Sequence, residues 1–231
     1  MILPIVGSLA CAIAVVMLVV AERDRDRAVR GRFLWKPIAS GAFLIVPLVG
    51  GALGADAEDA TVARWVIAGL CLGALGDLAL MFETKRGFLG GLVAFLLGHV
   101  AYVVACTQIV AIGHWFGDAV PIATVLIVIA AAMILRWLWP NLGTLRAPVI
   151  AYLAVISTML IGGVAISLRG DGATVDAATR GLVTAGAAVF YLSDLAVARE
   201  KFGERDGWNR TLGLPAYYGA QLLFAWAIIP R

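Results

Sequence analysis

The sequence predicts an all-α, polytopic membrane bundle of about eight transmembrane helices, and three observations carry that reading. Of the 231 residues, 62% are hydrophobic and 14% are charged, against roughly half and a quarter in an average soluble domain. Mean hydropathy is +0.95. The apolar residues gather into eight runs of spanning length, separated by short polar connectors, and eight spans of ~20 residues use most of the chain. No room remains for a soluble domain, so residues 1–231 read as a single integral membrane domain. A secreted enzyme, a nucleic-acid binder and a disordered adaptor are excluded at this point. The net charge of +3, from 18 basic and 15 acidic side chains, is crowded into connectors and reports topology, not a polyanionic partner.

The runs fall at residues 2–21, 37–53, 62–82, 88–110, 119–139, 147–168, 180–199 and 212–229. The first is followed, not preceded, by its charges (Arg23 to Arg32), the order of an anchored first span and not of a cleaved leader. The second and eighth are the shortest, yet each lies within the ~17 to 25 residues of a spanning helix. No run alternates with the period of two that barrel strands show, and helix is the open-ended structure that satisfies its backbone in lipid. Cys11, Cys71 and Cys106 lie inside these runs without ligand spacing and read as small core residues. No internal repeat or low-complexity segment breaks the pattern.

Orientation follows from the basic residues. Fourteen of the 18 lie in or beside the connectors after helices one, three, five and seven, including Arg23, Arg25, Arg27, Lys85, Arg146 and Lys201. Arg64, Arg169, Arg180 and Arg231 fall on the other side. The positive-inside rule places the odd connectors in the cytoplasm and both termini outside, as expected of a multi-pass protein of a bacterial-type plasma membrane.

Two carboxylates stand apart from the solvated ones. Asp77 and Asp194 each lie about five residues short of the cytoplasmic ends of helices three and seven, ~7 to 8 Å below the boundary and at matched depth. An ionisable group inside a span is costly and marks function, unless it caps a helix or pairs with a snorkelling cation. Asp77 continues a stripe with Gly69 and Gly73, and small residues mark the face where another helix approaches. In helix seven, Ala187, Tyr191, Asp194 and Ala198 form a comparable stripe, beside Ser193.

Helix four adds Gly91, Phe95, His99 and Tyr102 on one face. His99 sits about eleven residues in, one to two turns deeper than the aspartates, so a compact ligand set with them is not expected. His114, the other histidine, falls on the opposite side, and a three-histidine zinc site cannot be built. Helix eight carries Tyr217 and Tyr218, which read either as interfacial anchors or as site residues. Gln221, one turn on, needs a partner in its apolar surroundings. Lys36, before Pro37, reads as a snorkelling side chain at a span end or as a contact to a lipid phosphate.

The ordered set Lys36-Pro37, Gly76-Asp77, Phe88-x-Gly90 through Phe95-x-x-Gly98-His99-x-x-Tyr102, Ser193-Asp194, and Tyr217-Tyr218 with Gln221 resembles the YhhN-like lysoplasmalogenases, small eight-helix membrane proteins. The resemblance implies hydrolysis of the vinyl ether bond of lysoplasmalogen to a fatty aldehyde and glycerophospho-ethanolamine or glycerophospho-choline. It implies a lysophospholipid and the bilayer as partners. The residues singled out above then stand as candidates: Asp77 and Asp194 as catalytic residues, and Lys36, His99, Tyr102, Tyr191, Ser193, Tyr217, Tyr218 and Gln221 as substrate-binding ones.

The chemistry fits these residues independently. A vinyl ether hydrolyses by protonation of its β-carbon, and water captures the resulting oxocarbenium ion. Two carboxylates suffice, as in glycoside hydrolysis, with one protonated and one ionised. Which aspartate takes which role is open at this stage, and no metal or organic cofactor is called for. The competing class is a small proton-coupled transporter using the same buried aspartates, for which a repeat or broken helices would be expected.

Overall fold

The computed structural model describes residues 1–54, 57–82, 84–117, 119–168, 175–203, 207 and 209–230, without the side chains of 25–27, 57–59, 209 and 210. Several orientation-bearing arginines therefore lie outside the described side chains: Arg25, Arg27, Arg169, Arg205, Arg210 and Arg231. Among the described residues the chain forms eight α-helices and no strand. They are α1 (Ile2–Glu22), α2 (Arg25–Val49), α3 (Ala57–Met81), α4 (Lys85–Ile109), α5 (Val120–Leu138), α6 (Arg146–Leu168), α7 (Ala177–Phe202) and α8 (Leu214–Ala227).

Seven of these are long and apolar enough to cross a membrane. The eighth, at 14 residues, covers ~21 Å of a hydrocarbon core of ~30 Å. It is prolonged by a wider π-helical turn, Asn209–Gly213, so the helical path begins before the apolar run does.

Several helices outrun their hydropathy boundaries for one reason: hydropathy marks where a helix meets lipid, not where it begins. α2 starts at Arg25 instead of residue 37, α3 at Ala57 instead of 62, and α7 continues to Phe202 instead of 199. Lys36 and Pro37 consequently sit inside α2 and not at its start. Pro37 removes one backbone donor and frees the Phe33 carbonyl, a loss tolerated in membrane helices where neighbours re-satisfy the backbone.

The bundle buries an aromatic centre of Phe43, Tyr102, Phe190, Tyr217, Tyr218 and Phe224. Tyr102 stacks on Phe224 with ring centroids 4.0 Å apart, and Phe190 meets Tyr217 edge-on at 5.4 Å. α8 is tied to α1 by Trp226 Nε1 donating to Ser8 Oγ at 2.9 Å. By contrast α5 turns Ile122, Val125, Leu126, Ile129 and Met133 outward, a lipid-facing surface.

Close approach of α3 to its neighbours depends on glycine. A Cβ at Gly69 would run into the Tyr102 ring, one at Gly76 into Phe95, and one at Gly73 into Gln221 Nε2 and Tyr217 Oη. The stripe that carries Asp77 is therefore the groove into which the polar side chains of α8 fit. Gly73→Ala should destabilise the protein by about 1–3 kcal/mol, the usual scale of overpacking. Gly41→Ala, where no atom lies within 4 Å, should be neutral or slightly stabilising. Thermal unfolding in detergent micelles compares the two, and equal melting temperatures would refute the groove.

Candidate active site

At the end of the bundle that carries the α1–α2, α3–α4, α5–α6 and α7–α8 connections, a cavity of ≈180 Å³ opens between the helices. Its polar wall is Lys36, Asp77, Tyr191, Ser193, Asp194 and Tyr217; Phe88, Phe95, Ile134, Leu153 and Ile156 belong to its apolar wall. Residues 117 positions apart in sequence, Asp77 and Asp194, thus face one space.

Asp77 is 2% exposed and surrounded by donors. Ser40 Oγ donates to Oδ2 at 2.7 Å, and the Tyr217 hydroxyl donates to the same oxygen at 2.9 Å. Lys36 Nζ stands 3.5 Å from Oδ1. Lys36 is itself buried, so it points inward to Asp77 instead of snorkelling to the interface. Two donors come from α2, four residues and hence one turn apart, and the third comes from α8.

Behind Tyr217 the hydrogen bonds have one direction. The Tyr102 hydroxyl donates to Gln221 Oε1 at 2.5 Å, Gln221 Nε2 donates to Tyr217 Oη at 3.1 Å, and Tyr217 passes its own proton toward Asp77. An amide oxygen only accepts and an amide nitrogen only donates, which fixes the order. Gln221, 0% exposed, has found the partners its surroundings demanded. Tyr102, Tyr218 and Gln221 stand behind the cavity and not on its wall.

Asp194 has a different environment. The Tyr152 hydroxyl donates to Oδ2 at 3.2 Å, and His99 Nε2 lies 3.3 Å from the same oxygen, outside hydrogen-bonding alignment. His99 Nδ1 is 2.7 Å from the Phe95 carbonyl, and a carbonyl only accepts, so Nδ1 carries the hydrogen. The other nitrogen then faces the carboxyl group.

Helix counting put His99 one to two turns from both carboxylates, and for Asp194 the structure corrects this. The Cα–Cβ bond of a helix residue tilts toward the helix N-terminus. α4 and α7 are antiparallel, so His99 leans toward the cavity end while Asp194 leans away from it, and the two side chains meet. His114 lies in a separate 3₁₀ turn, Ile112–Phe116, at the far end of α4.

The remaining polar residues divide between wall and scaffold. Ser193 Oγ donates to the Gly213 carbonyl at 3.2 Å, holding the π-helical turn that launches α8. The Tyr191 hydroxyl is buried on the wall with no hydrogen-bond partner among the described residues. Ser40 and Tyr152 escaped the sequence reading. Ser40 carried a signal, being one turn from Lys36; Tyr152, a single tyrosine in an apolar run, did not.

Fold and site together define a polytopic helical membrane protein in which two acidic side chains, one buried and one part-buried, converge on one cavity. The YhhN family model matches residues 31–228, and the chain belongs to that family. It is 30% identical over 170 residues to lysoplasmalogenase TMEM86A of Bos taurus, a match covering 69% of this chain and 63% of that protein. It is 36% identical over 101 residues to the lysoplasmalogenases of Mycobacterium bovis and Mycobacterium tuberculosis, covering 42% of this chain and 38% of theirs. The chain thus spans less than two thirds of the length of these relatives. No solved structure matches.

The directed chain predicts coupled stability effects. Tyr102→Phe and Tyr217→Phe should each cost about 1–3 kcal/mol, because each leaves a buried amide or carboxylate atom short of a partner. The double variant should lose clearly less than the two costs combined. Unfolding of the four proteins in one detergent measures this cycle, and strict additivity would show that Gln221 does not link the tyrosines.

Proposed function

We propose that the chain is a hydrolase of ether lysophospholipids that cleaves the vinyl ether bond of lysoplasmalogen to a fatty aldehyde and a glycerophospho-ethanolamine or glycerophospho-choline. The observation that carries this reading is the unequal setting of the two aspartates on one cavity. Asp77 accepts from two hydroxyls beside an ammonium, which suits the ionised form. Asp194 faces a ring nitrogen whose partner nitrogen already carries the hydrogen. A lone pair against a carboxylate is repulsive, so on this reading the pair holds one proton, on the Asp194 carboxyl. That proton makes Asp194, with His99 behind it, the general acid.

In this mechanism Asp194 gives its proton to the vinyl β-carbon, and the adjoining carbon and ether oxygen share the positive charge that results. The Asp77 carboxylate stabilises that cation across the cavity. Water attacks the cationic carbon, and the proton it sheds returns to the Asp194–His99 pair. The hemiacetal then breaks its carbon–oxygen bond, with the proton of its hydroxyl transferred to the departing glycerol oxygen, leaving aldehyde and alcohol. The unpaired hydroxyl of Tyr191 offers a hydrogen bond to a substrate oxygen, and the Lys36 ammonium stands beside the Asp77 carboxyl. The scheme uses water, side chains of the cavity and His99 behind them, and it calls for no cofactor. The names of the bovine and mycobacterial relatives support the same reaction class.

Purified protein should release fatty aldehyde from lysoplasmalogen, and absence of turnover with every vinyl ether lipid tried would overturn the reading. Asp77→Asn and Asp194→Asn should each lower turnover by at least ~10²-fold while the protein stays folded. His99→Ala should cost less, about tenfold, and combined with Asp194→Asn it should add almost nothing, because groups that act as a unit are not additive. A variant of either aspartate keeping more than about a tenth of wild-type activity would remove that residue from its role.

We further propose that the odd connectors, and with them the cavity mouth, face the cytoplasm. The basic residues near that end support it. With all eight helices crossing, a reporter active only in the cytoplasm should stay silent when fused to the C-terminus. Strong reporter activity there would reverse the orientation.

A further inference from the structure

A second, larger chamber of ≈750 Å³ lies at the same end of the bundle. Lys36, Leu80, Phe88, Val197, Lys201 and Leu214 line both chambers, so the two adjoin. They differ in chemistry. The inner chamber holds the aspartates and an apolar wall. The outer one is edged by four cations, Arg32, Lys36, Lys85 and Lys201, with Glu22 and Glu200 as its acids.

The four cations are not equivalent. Arg32 is engaged by Glu22, Nε to Oε1 at 2.9 Å, and Lys36 by Asp77 at 3.5 Å. Lys85 opens α4 from an exposed position, where the positive end of the helix dipole adds to its charge. Lys201, near the end of α7, holds its ammonium 4.1 Å from the centre of the Phe88 ring, a cation–π contact at the seam between the chambers. Lys85 and Lys201 thus come from two antiparallel helices to one aqueous vestibule.

We propose that this vestibule is the subsite for the phosphodiester of an ether lysophospholipid, with Lys85 and Lys201 as its recognition residues; the assignment rests on the hydrolase reading of the inner chamber. Lys36 sets the scale. Its ammonium lies 3.5 Å from Asp77 and the same residue lines the vestibule, so the outer chamber begins one side chain from the reacting end. A three-carbon glycerol link separates the vinyl ether from the phosphate. The ether therefore lies between the aspartates when the phosphate lies beside Lys201, and the chain runs along Ile134, Leu153 and Ile156 toward the lipid-facing surface of α5. Both lysines donate to phosphate as point charges, which suits headgroups that differ beyond the phosphate.

The test uses binding, so that it does not depend on turnover. A saturated 1-O-alkyl glycerophospho-ethanolamine, which lacks the reactive double bond, and the matching 1-O-alkyl glycerol are titrated against the full-length protein in detergent. Wild type should prefer the phospholipid. In Lys85→Gln and in Lys201→Gln that preference should fall by about tenfold, the scale of a charge-assisted hydrogen bond, and Lys201→Arg should restore most of it. An unchanged preference in both Gln variants would overturn the proposal, whatever the activity of the protein. Displacement of the phospholipid by micromolar inorganic phosphate would also overturn it, because the site would then hold the free ion. Loss of the preference without any aldehyde release from lysoplasmalogen would sink the hydrolase reading while supporting the anion subsite.

Discussion

The burial of one carboxyl group organises this bundle. Asp77 lies four residues from the end of α3 with almost no exposure, in a bundle whose interior is mostly hydrocarbon and aromatic rings. An unpaired charge there would cost more than a whole protein's net stability. The compensation is specific: Ser40 and Lys36 from α2 and Tyr217 from α8. Those contacts join α3 to its neighbour α2 and to α8, 140 residues on from Asp77 at Tyr217. They also require Tyr217 and Gln221 to lie against the backbone of α3, which is why Gly73 must lack a side chain. The polar chain from Tyr102 through Gln221 extends the constraint to α4, so four of the eight helices are positioned by one buried group and its donors.

The same constraint explains why the cavity persists. A space beside two carboxylates would be expected to close by collapse of its apolar wall. Here the polar wall is held on each side by bonds that do not cross the cavity: Asp77 by α2 and α8, Asp194 by Tyr152 of α6 and His99 of α4. Ser193 fixes the entry to α8 through the Gly213 carbonyl. The inner wall is thus rigid on its polar side, while the α5 side is loosely embedded and faces lipid. A lipid chain entering from the bilayer meets the yielding wall first.

Much of this was legible in the sequence because the membrane penalises polarity so strongly. Eight apolar runs gave the helices, and two aspartates inside them gave the centre of the site. Boundaries were misjudged wherever a helix continues through water: hydropathy is silent over Arg25 to Lys36, which is helix nonetheless. Lys36 looked like a terminal snorkelling residue for that reason. Ser40 was hidden because a serine inside a span commonly bonds its own helix backbone, and only the third dimension shows it turned to Asp77. The meeting of His99 with Asp194 needed something residue counting does not contain, namely that side chains on antiparallel helices lean in opposite directions.

That lean also separates the two carboxylates chemically. A sequence carrying two buried aspartates at similar depth gives no reason to assign them different roles, and symmetrical acids would compete for one proton. The fold breaks the symmetry with neighbours. Asp77 receives hydrogens from every side, and one of its donors, Tyr217, is pinned as a donor because its own oxygen already accepts from Gln221. Asp194 receives one hydrogen bond, from Tyr152, and otherwise faces a nitrogen pinned as an acceptor by the Phe95 carbonyl on the other side of the ring. The identity of a backbone carbonyl one turn away on α4 and of an amide on α8 thereby decides, on the proposed mechanism, which aspartate holds the proton and which holds the charge. Neither group is ionisable, and neither would be found by looking for ionisable residues alone.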